Sequence, residues 1–154
     1  FYSVAVDTIG PLPTDSQGMK YIITMVDEFT KWVELVAAPS TTAISAADAI
    51  FGNIFCRFGA PHQIRSDNGT QYVNKVIKEL MKMTGVKHKT TGPYHPQGNG
   101  ICERINGEVT RILRSLIYEG NSQNEWSRLL PIVMYVLNNR VSRATGYTPY
   151  KLIH

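Results

Sequence analysis

Read as a pattern of apolar and polar positions, the chain changes its period several times. The opening YSVAVDTIG alternates and is rich in β-forming side chains, which predicts a strand that stops near Gly10 and Pro11. MKYIITMVDEFT predicts a second strand, reached through the turn-like PLPTDSQG, and WVELVAA a third a few residues on, as in a meander. TTAISAADAIFGNIFCRFG then takes helical spacing, with Thr41 or Thr42 as the cap and Gly59 as the stop. PHQIRSD predicts a short fourth strand, NKVIKELMKMTG a helix capped by Asn74, and VKHKTT a fifth strand. After the loop GPYHPQGNG, a long helix is expected over residues 100–118 and another over 123–141. Strands first, then helices and strands in alternation, then helices alone describe one α/β layered domain with a mixed sheet.

Three acids interrupt or terminate these patterns. Asp7 lies inside the apolar first strand, where a carboxylate is costly unless it is paired or binds a cation. Asp67 ends the fourth strand, and the crevice beyond strand ends is where α/β sheets place ligands. Glu103 sits in the first turns of the long helix. Singly, each has an ordinary alternative: an ion pair for Asp7, turn chemistry for Asp67, a favourable helix dipole for Glu103. Together they form an all-oxygen donor set, which suits Mg²⁺ or Mn²⁺ better than Zn²⁺.

Composition narrows the picture. The 154 residues suit one domain with a real core, and the chain opens on Phe1, so we expect a piece of a longer protein. Cys56 and Cys102 provide no disulfide framework, and the four histidines lack zinc-site spacing. No apolar run reaches membrane-spanning length. Residues 1–77 carry five Lys/Arg against seven Asp/Glu, whereas residues 78–154 carry eleven against five. A basic C-terminal half fits a polyanionic partner such as nucleic acid, or simply a solvated face.

Spacing makes the acids specific. Thirty-five residues separate Asp67 from Glu103, with Asp7 in a strand upstream. This resembles the D,D-35-E pattern of retroviral and LTR-retrotransposon integrases, in particular of gypsy-type elements and spumaviruses. VDTIGPLP, SDNGTQY, YHPQGNGICERIN and RATGYTPYKL carry the resemblance over nearly the whole chain. It implies a ribonuclease H-like fold: a five-stranded mixed sheet flanked by helices, its first three strands antiparallel. It also implies a metal-dependent polynucleotidyl transferase, working in the nucleus (or held in a virion or virus-like particle before integration), that processes element DNA 3′ ends and joins them to target DNA. Asp7, Asp67 and Glu103 would be the catalytic residues and the ligands of a pair of Mg²⁺ or Mn²⁺ ions. The implied partners are element-end DNA, target DNA and further copies of the chain, with pairing expected through the first and last helices.

The same resemblance places Thr70, Tyr94, Gln97, Asn99 and Asn106 at DNA or near the metals. A helix cap is the other reading of Thr70, and a partly buried loop anchor that of Tyr94. Helical angles put Ile101, Ile105, Val109, Ile112 and Leu116 on one face, and Glu103, Thr110 and Arg114 on another. Arg114 then either contacts phosphate or faces solvent; for Arg104 and Arg111 solvent is expected. Five Gly/Pro residues within residues 92–100 predict a mobile or kinked loop, in which His95 is structural. Asp27 and Glu28 should face solvent or fix a turn, and Cys102 should pack inward. Trp126, Leu129, Leu130, Tyr135 and Leu137 read as core. Retroviral relatives often carry Lys just beyond the matching Asn, where this chain has Gly107 and Thr110. Two other functions share the pattern: a domesticated binding module without catalysis, and a ribonuclease H-like nuclease.

Overall fold

The computed structural model describes residues 1–92, 100–121 and 123–154. Strand β1 (Ser3–Ile9) is the centre of a five-stranded sheet ordered β3-β2-β1-β4-β5. It pairs antiparallel with β2 (Tyr21–Asp27), which pairs antiparallel with β3 (Val33–Ala38). On its other side β1 runs parallel to β4 (Gln63–Ser66), and β4 runs parallel to β5 (Lys87–Thr90). All five expected strands form, in the layout the resemblance implied.

Both faces of the sheet are buried, and strand alternation assigns each residue to one of them. Val4 and Val6 join Ile23, Met25 and Ile64 in one core; Ala5 joins Ile22 and Val26 in the other. The second core is completed by α4 (Gly100–Gly120) and α5 (Leu130–Asn138). Asp7 shares the parity of Ala5 and therefore lies on the face that α4 covers.

The first face is closed by α1 (Ala43–Ile50) and α3 (Lys75–Thr84). Thr42 caps α1, its hydroxyl accepting the Ser45 N–H at 3.2 Å. Instead of remaining regular to Gly59, the helix widens into a π-helical turn at Phe51–Phe55 and closes with α2 (Cys56–Phe58). Asn74 caps α3 by accepting the Ile77 N–H at 3.0 Å, and Gly85 ends it at φ 71°, a left-handed turn that glycine adopts without strain.

Two expectations for the last helices are corrected. On α4 the buried stripe is Cys102, Ile105, Val109, Ile112 and Leu113, whereas Ile101 and Leu116 are only partly buried. A 3.6-residue period lets either 101 or 102 begin the stripe, and packing on β1 and β2 selects Cys102. The helix expected over 123–141 is a 3₁₀ segment (Gln123–Leu129) followed by α5. Glu125 leaves helical geometry at φ −131°, and Pro131, which has no N–H to donate, opens the new helix. Leu130, Val133 and Leu137 face inward on α5, which turns Tyr135 outward and leaves it 70% exposed. A short α6 (Pro149–Ile153), capped by Thr148, was not foreseen.

Long-range polar contacts lock this frame. Asp15, between β1 and β2, accepts the N–H groups of Gln17 and Met19 and both the N–H and the hydroxyl of Ser127. Trp126 Nε1 donates to the Pro13 carbonyl at 2.8 Å beside it. At the outer edge of the sheet, the Asn138 amide mimics a neighbouring strand. Its Oδ1 accepts the Val33 N–H at 2.8 Å, and its Nδ2 donates to the Val33 carbonyl at 3.0 Å. The β3 edge is thereby paired where a bare ladder would invite other strands. Asn138→Ala leaves that buried N–H and carbonyl unpaired, and should cost about 2 kcal/mol, read by urea unfolding.

Candidate active site

Asp7 is held from two sides. Its Oδ1 accepts the Thr8 N–H at 2.8 Å, and its Oδ2 accepts Asn106 Nδ2 from α4 at 3.0 Å. Asp67 lies one residue beyond β4, its Oδ1 accepting the Gly69 N–H at 2.8 Å. That turn is tight: a Cβ at Gly69 would lie 2.9 Å from Asp67 Oδ1 and 2.6 Å from Gln71 Oε1, so a larger residue would displace one of these side chains. Glu103 is exposed in the first turn of α4, one residue after the fully buried Cys102 and one turn before Asn106.

The three acids share an electrostatic neighbourhood. Burial pushes the Asp7 carboxyl above its ordinary 3.8; the Thr8 N–H and the Asn106 amide oppose this, while the charges of Asp67 and Glu103 push it further up. Among the described residues, however, no three His, Cys, Asp or Glu side chains are gathered closely enough to hold an ion. The acids feel one another without forming a closed cage, as expected of like charges. Their donor chemistry still fits a hard divalent cation, whose charge would offset the repulsion at Asp7. Asn106 Oδ1, buried and without a hydrogen-bond partner, adds a further oxygen beside Asp7.

The expected DNA contacts divide into three groups. Tyr94, Gln97 and Asn99, together with His95 and the mobile-loop expectation, lie outside the described residues. Thr70 is exposed in the turn before α3; its carbonyl accepts Asn74 Nδ2 at 2.7 Å, and Asn74 rather than Thr70 is the cap. Arg114 is exposed on α4, where it lines a shallow groove with Asn106, Thr110, Arg111 and Tyr118. Arg111, expected further round the helix, thus shares the groove of Arg114.

Other readings are settled by burial. Asp27 does fix a turn, its Oδ2 accepting the N–H and the hydroxyl of Thr30 at 2.8 and 2.6 Å. It is buried rather than solvent-facing. Glu28 reaches Arg65 at 3.4 Å. Sequence reasoning missed two groups beside the acids. Tyr72 is buried with its hydroxyl 2.5 Å from Thr8 Oγ1, and His88 Nε2 lies 2.7 Å from the hydroxyl of Ser66, the residue before Asp67. Burial holds the His88 imidazole below its ordinary value. The only sequence signal for Tyr72 is its place in SDNGTQY, five residues after Asp67.

Comparison with known proteins adds a family. The integrase core domain family matches residues 2–96. The chain is 31% identical over 153 residues to the retrovirus-related Pol polyprotein from transposon 412 of Drosophila melanogaster, covering 99% of the chain and 12% of that polyprotein. It is 34% identical over 150 residues to the Pro-Pol polyprotein of simian foamy virus type 3, again covering 12% of the relative. The chain thus spans about an eighth of the length of these relatives. Among solved structures, the HTLV-2 integrase catalytic core domain in complex with magnesium, in a trimeric form, superposes with a TM-score of 0.80 at 19% identity, covering 99% of this chain and 96% of that one. The sheet order and the flanking helices are those of the ribonuclease H-like fold.

The raised Asp7 carboxyl has a testable sign. In the unfolded chain Asp7 loses its proton near its ordinary 3.8, but in the folded chain only at higher pH. Stability therefore falls as pH climbs from about that value through the folded one, and the loss persists at neutral pH. Asp7→Asn, assayed without divalent metal, should melt above the parent at pH 7 and match it at pH 3. A variant that melts below the parent at pH 7 would contradict this account.

Proposed function

The chain belongs to the integrase core domain family, and we propose that it is the catalytic part of a metal-dependent enzyme that processes the 3′ ends of element DNA and joins them to target DNA. The observation that carries this reading is that Asp7 and Asp67 each stand two residues past the last β1–β4 pair while α4, which carries Glu103, reaches Asp7 through Asn106, at the sequence spacing of the D,D-35-E pattern. Asp7, Asp67 and Glu103 would hold a pair of Mg²⁺ or Mn²⁺ ions, which when bound activate the attacking oxygen and stabilise charge at phosphorus. That one solved relative is described as a complex with magnesium supports this choice.

The chain's own contribution is to position and to balance charge, since in-line phosphoryl transfer needs no protein nucleophile. Asp7 is aimed by the Thr8 N–H and by Asn106, and Asp67 by the Gly69 N–H in the turn that follows it. The α4 groove with Arg111, Arg114 and Tyr118 runs from Asn106 away from the acids, a path for a phosphate backbone. Thr70 would meet target DNA, and Tyr94, Gln97 and Asn99 the DNA end, as the family resemblance implies. We further propose that copies of the core pair through α1 with the π-helical turn that follows it and through α5, where Ile44, Phe51, Ile132 and Tyr135 are exposed, and that the assembly works on DNA in the nucleus.

A branched DNA that already aligns the 3′-hydroxyl with a phosphodiester bypasses weak capture by a core of net charge +4. In Mn²⁺ the parent should resolve this branch. Asp67→Asn and Glu103→Gln, folded like the parent, should lose it by about 10³-fold or more, since a bound metal contributes several kcal/mol. A folded, metal-bound but inactive parent would point to a binding module, and cleavage of RNA–DNA hybrids instead would point to a nuclease. Arg114→Ala should weaken DNA binding evenly across sequences and reduce the slope of affinity against salt by about one counterion.

A further inference from the structure

We propose that the Tyr72 hydroxyl is a positioning group that fixes the separation between the two segments carrying Asp7 and Asp67. The proposal rests on the reading of those acids as metal ligands. Parallel pairing between β1 and β4 ends at Ala5 and Arg65, so each acid lies two residues past the last paired position. No ladder bond sets their distance. Tyr72 supplies the missing cross-tie. On one side its hydroxyl lies 2.5 Å from Thr8 Oγ1, and the Thr8 N–H donates to Asp7 Oδ1 at 2.8 Å. On the other side the Tyr72 N–H donates to the Gly69 carbonyl at 3.0 Å, and the Gly69 N–H donates to Asp67 Oδ1 at 2.8 Å. Four hydrogen bonds thus connect one carboxylate to the other through a single side chain.

The ring alone does not explain this residue. Tyr72 is 1% exposed and packs in the core beside Ile64 and Ile77, where phenylalanine would fill the same space without burying a polar oxygen. The hydroxyl is buried and, among the described residues, is paired with Thr8, the residue that follows Asp7. It touches neither acid, so its effect on metal binding would act through Thr8.

The test measures Mn²⁺ affinity and metal-free melting of the whole chain. Tyr72→Phe should bind Mn²⁺ roughly ten-fold more weakly, as expected for groups that orient metal ligands, while melting close to the parent. Thr8→Val should lose as much, Thr8→Ser should retain parent affinity, and the double variant Tyr72→Phe/Thr8→Val should lose no more than either single one. Parent-like affinity in both Tyr72→Phe and Thr8→Val, or losses that add in the double variant, would overturn the proposal. So would a loss in Thr8→Ser equal to that in Thr8→Val. If Asp7→Asn abolishes Mn²⁺ binding while Tyr72→Phe leaves it unchanged, the positioning role alone fails. If Asp7→Asn leaves parent binding intact, the metal reading of the acids fails and this inference with it.

Discussion

A carboxylate on the central strand of a sheet buried on both faces is the constraint around which this molecule is arranged. Strand alternation directs Asp7 to the face that α4 covers, and burial raises its proton affinity. A group so placed needs donors, and the fold brings them from its own strand at Thr8 and from ninety-nine residues away at Asn106. The rotation of α4 follows from the same demand. With Cys102, Ile105 and Val109 turned into the core, Asn106 reaches Asp7, and Glu103 stays at the solvent edge while still acting on Asp7 by its charge.

Two acids and a half-buried carboxylate at one sheet end are a destabilising arrangement, so the frame must be firm elsewhere. The structure meets this with two separate cores, one on each face, and with side chains that complete backbone pairing at the margins. Asn138 closes the β3 edge, and Asp15 joins the β1–β2 connection to the segment before α5. Their hydrogen bonds go to the frame and not to the acids. Each fixes an element whose displacement would move β1 or α4, and hence the acids they carry.

How much of this the sequence discloses depends on how local each cause is. Strands and most helix limits are legible because caps and stops act within a few residues: Thr42, Asn74, Gly59 and Gly85 all stand where the pattern places them. The acids are legible as breaks in an apolar pattern, and their spacing links them. Tertiary packing decides the rest. The break before α5, the outward turn of Tyr135 and the burial of Asp27 each depend on a surface that another part of the chain provides. Tyr72 is marked only by its place in SDNGTQY, and its role there is not legible because its partner is sixty-four residues distant.

The charge pattern follows from the same geometry. The N-terminal half, which contributes Asp7 and Asp67, is net acidic, and the C-terminal half, which contributes α4, is net basic. Glu103 therefore sits where the two meet, at the start of a helix whose exposed side carries Arg111 and Arg114. A phosphate backbone laid along that side would be attracted by the arginines and repelled by the acids. Asp67 and Glu103, whose charges already push up the proton affinity of Asp7, would with it repel the backbone more strongly unless a cation stood between them. On this argument affinity along α4 and chemistry at its first turn are separable. Arginine substitutions should act on binding and its salt dependence, and changes at the acids or their supports should act on metal and turnover.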